Sequence, residues 1–199
     1  MNNIFIIGAG GHASSCIDVI ESQKKYKIAG LVSNSISNNT KYKILCKDNE
    51  IEKKFKKIKF AFIGIGQIKT PNLRIKFFKR LKKNFSLPKI ISPNSYISRQ
   101  SYIDEGTIIL HQSILNTNVR IGKNCIINTK SLIEHDVSID DHCHISTGAI
   151  LNGNVKIGSG SFIGSGAIIH EGVEIGKNCI VAAGKIVKRN IPNKKILSL

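Results

Sequence analysis

The amino-acid sequence predicts an α/β domain over residues 1–92 followed by a parallel β-helix of hexapeptide repeats over residues 93–199. Three observations carry this reading. The chain opens on an apolar run that ends in a glycine cluster, "NIFIIGAGGHA" (residues 3–13). From residue 97 to residue 187 every sixth residue is Ile, Leu or Val, sixteen positions without a slip. Between these signals lies a lysine-rich stretch that reads as helices with solvated faces.

The first element is a strand. Ile4, Phe5, Ile6 and Ile7 form the short continuous apolar run expected of a strand buried on both faces of a parallel sheet. Gly8, Gly10 and Ala13 then fit G-x-G-x-x-G/A, where small residues let backbone N–H groups reach a phosphate at a helix N-terminus. The helix is expected over residues 12–24, with Ala13, Ile17 and Val19 or Ile20 turned inward. This is a Rossmann-like start, but a dinucleotide site also needs an acidic residue roughly 20 residues on, at the end of the second strand. That strand, "YKIAGLVSNS", ends in Ser33 and Asn34 with no carboxylate. The loop by itself leaves open a phosphate site and a turn that merely needs glycine.

Composition narrows the function classes. The 199 residues carry a formal charge of +17, so a nucleic-acid binder has to be weighed. Aromatic residues make up 6%, with no Trp, which leaves little to stack bases on. The lysines of "EIEKKFKKIKF" and "RIKFFKRLKKN" form no contiguous stripe. Their expected role is a solvated face with a mild pull on anionic small molecules, with no nucleic-acid partner. No segment approaches the roughly 18 apolar residues of a membrane span, and the start lacks the basic-then-apolar layout of a signal peptide. Cys16, Cys46, Cys125, Cys143 and Cys179 show neither metal spacing nor a CxxC pair. A cytoplasmic protein with reduced thiols and no metal is expected.

The period of six defines the second half. The fourth residue after each aliphatic is also restricted: Ser101, Thr107, Ser113, Val119, Cys125, Ser131, Val137, Cys143, Ala149, Val155, Ser161, Ala167, Val173 and Cys179, with Lys185 as the departure. One large and one small inward residue per hexad is neither a helix period nor simple strand alternation. It is the pattern of a prism with three short strands per turn, each turn burying its neighbour's apolar face. Residues eighteen apart then stack, about 4.8 Å from one coil to the next. The motif resembles the left-handed β-helix of the hexapeptide acyltransferases. Such prisms commonly trimerise.

Among the histidines, His135 in "SLIEHDVSID" stands two places after inward Ile133, at a prism edge between Glu134 and Asp136. A carboxylate neighbour orients an imidazole and makes it more basic, which suits a general base. Eighteen residues on, Gly153 occupies the same corner one coil along, where its N–H could face a developing oxyanion. His111, His142 and His170 have no partner pattern and are expected at the surface. No histidine spacing supports a zinc site.

With these residues in place, the whole chain resembles the NeuD/PglD-like sugar acetyltransferases: "IIGAGGHA" at the start, "FIGIGQIKTPNLRIKFFKRLKKN" in the middle, "ISPNSYIS" entering the prism, and "INTKSLIEHDVSIDDHCHISTGAILNGNVKIG". The resemblance implies an α/β N-terminal Rossmann-like domain followed by a C-terminal left-handed parallel β-helix. It implies His135 as base, Asp136 as its orienting acid and Gly153 as an oxyanion donor. Gly8, Gly10, Gly11, His12, Ser33, Asn34, Gly64 and Asn128 would serve the nucleotide-sugar; His144, Gly153, Ala183 and Gly184 would serve acetyl-CoA. The implied activity is acetyl transfer from acetyl-CoA to the amino group of a nucleotide-activated 4-amino-4,6-dideoxy sugar, for a surface glycan or protein glycosylation, in a homotrimer with active sites between protomers. O-acetylation of a sialic-acid-like sugar is the close alternative, and a non-catalytic nucleotide-sugar-binding prism is the alternative of another class. Two departures stand out. The family's second strand commonly ends in acidic residues that read the base, where this chain has Ser33 and Asn34. The family's closing glycine-valine-proline-alanine turn is replaced by "NIPNKKILSL".

Overall fold

The structure is a computed structural model that describes residues 1–35 and 41–198. Strand β1 (Asn2–Ile7) leads into helix α1 (Gly11–Gln23), then β2 (Tyr26–Val32) and β3 (Ile44–Cys46). The short helix α2 (Ile51–Lys54), strand β4 (Phe60–Ile63) and helix α3 (Asn72–Leu81) complete the first unit. The strands form one parallel sheet in the order β3-β2-β1-β4. Residues 4–7 of β1 are buried on both faces, as a continuous apolar run requires. One face is covered by α2 and α3, where Phe5 stacks on Phe55 at 4.0 Å and meets Phe85 edge-on at 4.9 Å.

The other face is shared. Ala13, Cys16, Ile17, Val19 and Ile20 of α1 turn inward, and four of them join Ile4, Ile6 and Phe62 in a cluster that continues into Ile90, Ile108, Leu110 and Ile126. These last side chains project from the outer surface of the prism. Gln23 Nε2 also donates to the Ile91 carbonyl at 2.6 Å. The two units are therefore held by a common apolar core rather than by a linker alone.

Among the described residues the prism has three parallel walls, of seven, six and five two-residue rungs. Every pairing runs eighteen residues apart up to the last turn, as the repeat demands. The inward aliphatics and small residues make one core from Ile103 to Val187. The small hydroxyls in it are satisfied: Thr107 Oγ1 donates to the Gly122 carbonyl at 2.7 Å and accepts from the Cys125 N–H at 2.9 Å. Cys125, Cys143 and Cys179 are fully buried in the same row, as small core residues. From Gly106 to Gly184 every sixth residue has φ between +53° and +75°, and these left-handed corners turn the chain from wall to wall.

The prism extends beyond the sixteen aliphatics at both ends. Its first rung is Ile90–Ile91, which pairs with Ile108–Ile109 ahead of the expected junction at 92. At the other end Ile191 pairs with Ile175, and Ile196–Leu197 pairs with Ile180–Val181. The replaced tail thus closes a final turn of sixteen residues instead of eighteen.

Candidate active site

The first cluster sits on a corner. After the rung Leu132–Ile133 the chain turns outward through Glu134 and His135, and Asp136 takes the left-handed corner at φ +61°. This bend swings the Asp136 carboxylate back onto its neighbour: His135 Nδ1 lies 2.9 Å from Asp136 Oδ2. Asn118, one coil below, donates to Asp136 Oδ1 at 3.1 Å. Nδ1 therefore carries the proton and Nε2 presents its lone pair. The hydrogen bond to Asp136, with Glu134 and Glu171 near, raises the His135 pKa above its ordinary value, and the same bond lowers that of Asp136. Both side chains are half exposed.

Gly153 lies against the ring. A Cβ at that position would stand 2.6 Å from His135 Cε1 and 2.7 Å from Nε2, so only glycine admits the imidazole there. Its N–H has no backbone acceptor among the described residues.

The second cluster lies where the two units meet. A cavity of about 780 Å³ is lined by His12, Ser15, Gln67, Asn128, His144 and Thr147 among others. His144 Nδ1–H donates to the Gln67 carbonyl at 2.5 Å, which leaves Nε2 to accept from Asn128 Nδ2 at 3.2 Å. His12, from the first turn of α1, faces it with 6.5 Å between ring centres. Burial first, then the positive charge of Arg74, pushes His12 down to about 3; burial pushes His144 down to about 4. Both rings are neutral hydrogen-bonding groups at neutral pH.

Beside this cavity runs the glycine loop. The Gly8 N–H donates to the Val32 carbonyl and the Gly64 N–H to the Ile7 carbonyl, each at 2.8 Å. Gly8 is at φ +108° with a Cβ's distance of only 3.1 Å to the Gly64 carbonyl oxygen, so the two glycines let adjacent loops touch. Gly10 and Gly11 open onto free space at the N-terminus of α1, which has no acidic residue in its first turn. Ser33 and Asn34 follow at the end of β2. Asn34 Nδ2 donates to Asp48 Oδ2 at 2.8 Å, and the Asp48 N–H donates to Asn34 Oδ1 at 3.1 Å. Ala183 and Gly184 stack two coils above Thr147 and Gly148, and a Cβ on Gly148, Gly166 or Gly184 would meet nothing within 4 Å. They continue the cavity's edge as an open, small-residue track.

Several residues were not visible to sequence reasoning. Arg74, read as part of a solvated helix face, is 1% exposed. It donates to the carbonyls of Ile63, Ile65 and Asn124 and to Asn124 Oδ1, joining α3 to the prism with no carboxylate partner among the described residues. Burial lowers its pKa to about 10. His142, expected at the surface, is half-buried and accepts from Asn124 Nδ2 at 3.0 Å, while Gln67 Nε2 donates to the His142 carbonyl. His111 is also partnered: Nδ1 lies 2.6 Å from Ser92 Oγ and Nε2 lies 2.7 Å from Asp18 Oδ2. That chain has the composition of a hydrolytic triad, but Ser92 is 1% exposed and its Oγ already accepts the Asn94 N–H, so no substrate reaches it. Among the described residues no cluster of His, Cys, Asp or Glu could hold a metal ion, and no helix is long and apolar enough to cross a membrane.

The structure brings His135, Asp136 and Gly153 together, and separately His12, Asn128 and His144; Gly64, expected to serve the nucleotide-sugar, is buried against Ile6 and Ala13, and Gly66 lines the cavity instead. Within one chain the six-rung wall lies between the two clusters, because Asn128 follows the rung Ile126–Ile127 at one edge of that wall and His135 follows Leu132–Ile133 at the other.

A parallel α/β sheet with a glycine loop, fused to a hexapeptide prism with a histidine–carboxylate pair on its edge, defines a two-domain hexapeptide acyltransferase. Residues 3–81 match the PglD N-terminal domain, residues 86–167 the GlmU-like C-terminal hexapeptide family and residues 154–189 the bacterial transferase hexapeptide (six repeats). With a PglD N-terminal domain followed by transferase hexapeptide repeats, the chain is similar to the NeuD/PglD-like sugar acetyltransferases. At the level of sequence alone, no curated protein matches it. Among solved structures it resembles a variant of perosamine N-acetyltransferase from Caulobacter crescentus, in complex with CoA and GDP-perosamine, at 27% identity and a TM-score of 0.93, over 98% of this chain and 93% of that one. The acetyltransferase domain of PglB from Neisseria gonorrhoeae, in complex with acetyl coenzyme A, is 23% identical with a TM-score of 0.91, over 98% and 96% of the two chains. WeeI from Acinetobacter baumannii is 22% identical with a TM-score of 0.75 over the same shares. The last two establish the fold alone.

Proposed function

We propose that this acetyltransferase moves the acetyl group of acetyl-CoA onto the amino group of a nucleotide-activated 4-amino-4,6-dideoxy sugar, in the biosynthesis of a surface glycan or a protein-linked glycan. The observation that carries this is the His135–Asp136 pair seated on Gly153. The free amine attacks the thioester carbonyl, Nε2 of His135 accepts the amine proton, and Asp136 holds Nδ1–H and stabilises the imidazolium. The Gly153 N–H faces the oxyanion as it develops. Collapse of the tetrahedral intermediate breaks the C–S bond and releases CoA, with the proton passing to the thiolate. No covalent acyl-enzyme is invoked, since among the described residues the His135 ring is hydrogen-bonded to Asp136 and seated on Gly153, with no serine or cysteine bonded to it.

The glycine loop and the α1 N-terminus would take the pyrophosphate. His12 and Asn128 would take the sugar, and the track through Ala183 and Gly184 would take the pantetheine arm beside His144. The six-rung wall supports the remaining step. Its outward residues are Tyr96, Ile114, Leu132, Ile150, Ile168 and Ile186, an unbroken apolar row, whereas the five-rung wall shows Tyr102, Arg120, Ser138, Lys156 and Glu174. Three chains packed through the apolar wall would set the His135 corner of one against the cavity of the next, completing a site that one chain divides.

Thiol release from acetyl-CoA, followed with UDP-, GDP- and CMP-linked 4-amino sugars, tests the reading. Turnover on one amino sugar is expected, with kcat reduced on the order of 10²- to 10⁴-fold in His135→Ala. Activity on hydroxyl acceptors only would move the reading to O-acetylation; binding of nucleotide-sugars without CoA turnover would make the prism a non-catalytic one.

A further inference from the structure

We propose that Asp48, held in place by Asn34, is the carboxylate that reads the nucleoside of the nucleotide-sugar. The inference rests on the proposed substrate class, but its argument is the order of loops along one sheet edge. The strand order β3-β2-β1-β4 puts four loops side by side at the carboxyl ends of the strands, spaced about 4.8 Å apart. In order they carry Asp48, then Ser33 and Asn34, then residues 8–11, then Gly64 to Gln67. The contacts between neighbours are direct: Ser33 N–H to the Cys46 carbonyl, Gly8 N–H to Val32, Gly64 N–H to Ile7.

A nucleotide-sugar is linear: sugar, pyrophosphate, ribose, base. With the sugar in the cavity of His12, Asn128 and His144 and the pyrophosphate at the open N–H groups of Gly10 and Gly11, the nucleoside falls on the opposite side, over β2 and β3. Ligands of open parallel sheets bind at these strand ends, with a carboxylate taking the ribose hydroxyls. The second strand offers none. Asp48, the first residue of a 3-10 turn Asp48–Glu50, is brought there from fourteen residues downstream by the reciprocal pair with Asn34. Its Oδ1 has no hydrogen-bond partner and its carboxylate no ion pair among the described residues. The Asn34 amide holds one oxygen, which leaves the other to accept from a ligand. A carboxylate placed so recognises two adjacent donors, either the 2′,3′-diol of a ribose or the N1–H and N2–H of guanine.

Calorimetric titration of UDP, GDP and 2′-deoxy-GDP into the unaltered protein, Asp48→Ala and Asn34→Ala tests this without any acetyl transfer. Asp48→Ala is expected to weaken the best-bound ligand about tenfold or more, and Asn34→Ala by less. It should also flatten one preference: GDP over its deoxy form if the diol is read, or GDP over UDP if guanine is. Circular dichroism and the KM for acetyl-CoA should not move. Affinities within twofold for all three ligands would overturn the proposal even if acetyl transfer is confirmed. Asp48-dependent binding with no turnover on any amino sugar would leave Asp48 in this role and overturn acetyl transfer instead.

Discussion

His135 and His144 stand nine residues apart, half a coil, and the prism gives them opposite chemistry. His135 is on a corner, half exposed, with a carboxylate on Nδ1 and a basicity raised by it. His144 projects from a wall into the junction of the two units, 6% exposed, with a backbone carbonyl on Nδ1 and a pKa pushed down to about 4. In both, the partner on Nδ1 selects the same tautomer and leaves Nε2 open. Charge and burial decide the rest: a carboxylate helps its ring accept a proton, whereas a buried carbonyl holds a neutral ring in place. In the proposed reaction the first ring would move a proton and the second would place a ligand.

Gly153→Ala strikes hardest at the corner. The added methyl would lie 2.6 Å from His135 Cε1 and displace the ring while leaving the coil intact. Turnover should fall on the order of 100-fold or more, with an unchanged circular dichroism spectrum. Asp136→Asn is gentler, because asparagine keeps the left-handed corner at φ +61°. Since Asp136 raises the His135 pKa, and the base works only when neutral, the acid limb of the pH–rate profile should shift to lower pH in this variant, with kcat lowered on the order of tenfold. A limb that stays in place would mean that His135 is not the titrating base.

His144→Phe should give the smallest change in catalysis. A several-fold rise in KM is expected with the acid limb unmoved, the mark of a binding group. It should act more clearly on stability. The native His144 pKa of about 4 lies below that of an unfolded histidine, so its contribution is full above about pH 6.5 and is lost as pH falls toward 4. The decline in Tm over that window should be shallower in His144→Phe than in the unaltered protein. An equal decline would show that the ring is not buried neutral.

What could be read from the sequence follows the same division. In the prism, register is arithmetic: residues eighteen apart stack, so the seating of Gly153 on His135 was legible from spacing, and so was the burial of Cys125, Cys143 and Cys179. The first unit has no such rule. Arg74 looked like one more cation in "RIKFFKRLKKN" because nothing local marks it as the residue that meets Asn124, fifty positions on. Asp48 was invisible for a similar reason: its partner Asn34 lies across β3, and a loop with no period sets their approach. His111 and His142 were misjudged because the second unit supplies only half of their surroundings; Asp18 and the Gln67 side chain come from the first.

The left-handed corners at every sixth residue have a consequence for the history of such a chain. Loss or gain of a single hexad between residues 109 and 133 would leave every aliphatic inside and every corner turnable, so the prism would still close. It would nonetheless advance everything downstream by a third of a turn, carrying His135 together with Ile150, Ile168 and Ile186 to a different side of the prism from Tyr96 and out of its place relative to the first unit. Only changes of eighteen residues are silent in both respects. The architecture is thus forgiving of length in units of six and faithful to function only in units of eighteen, so an active edge can migrate around this scaffold without its core recording the move.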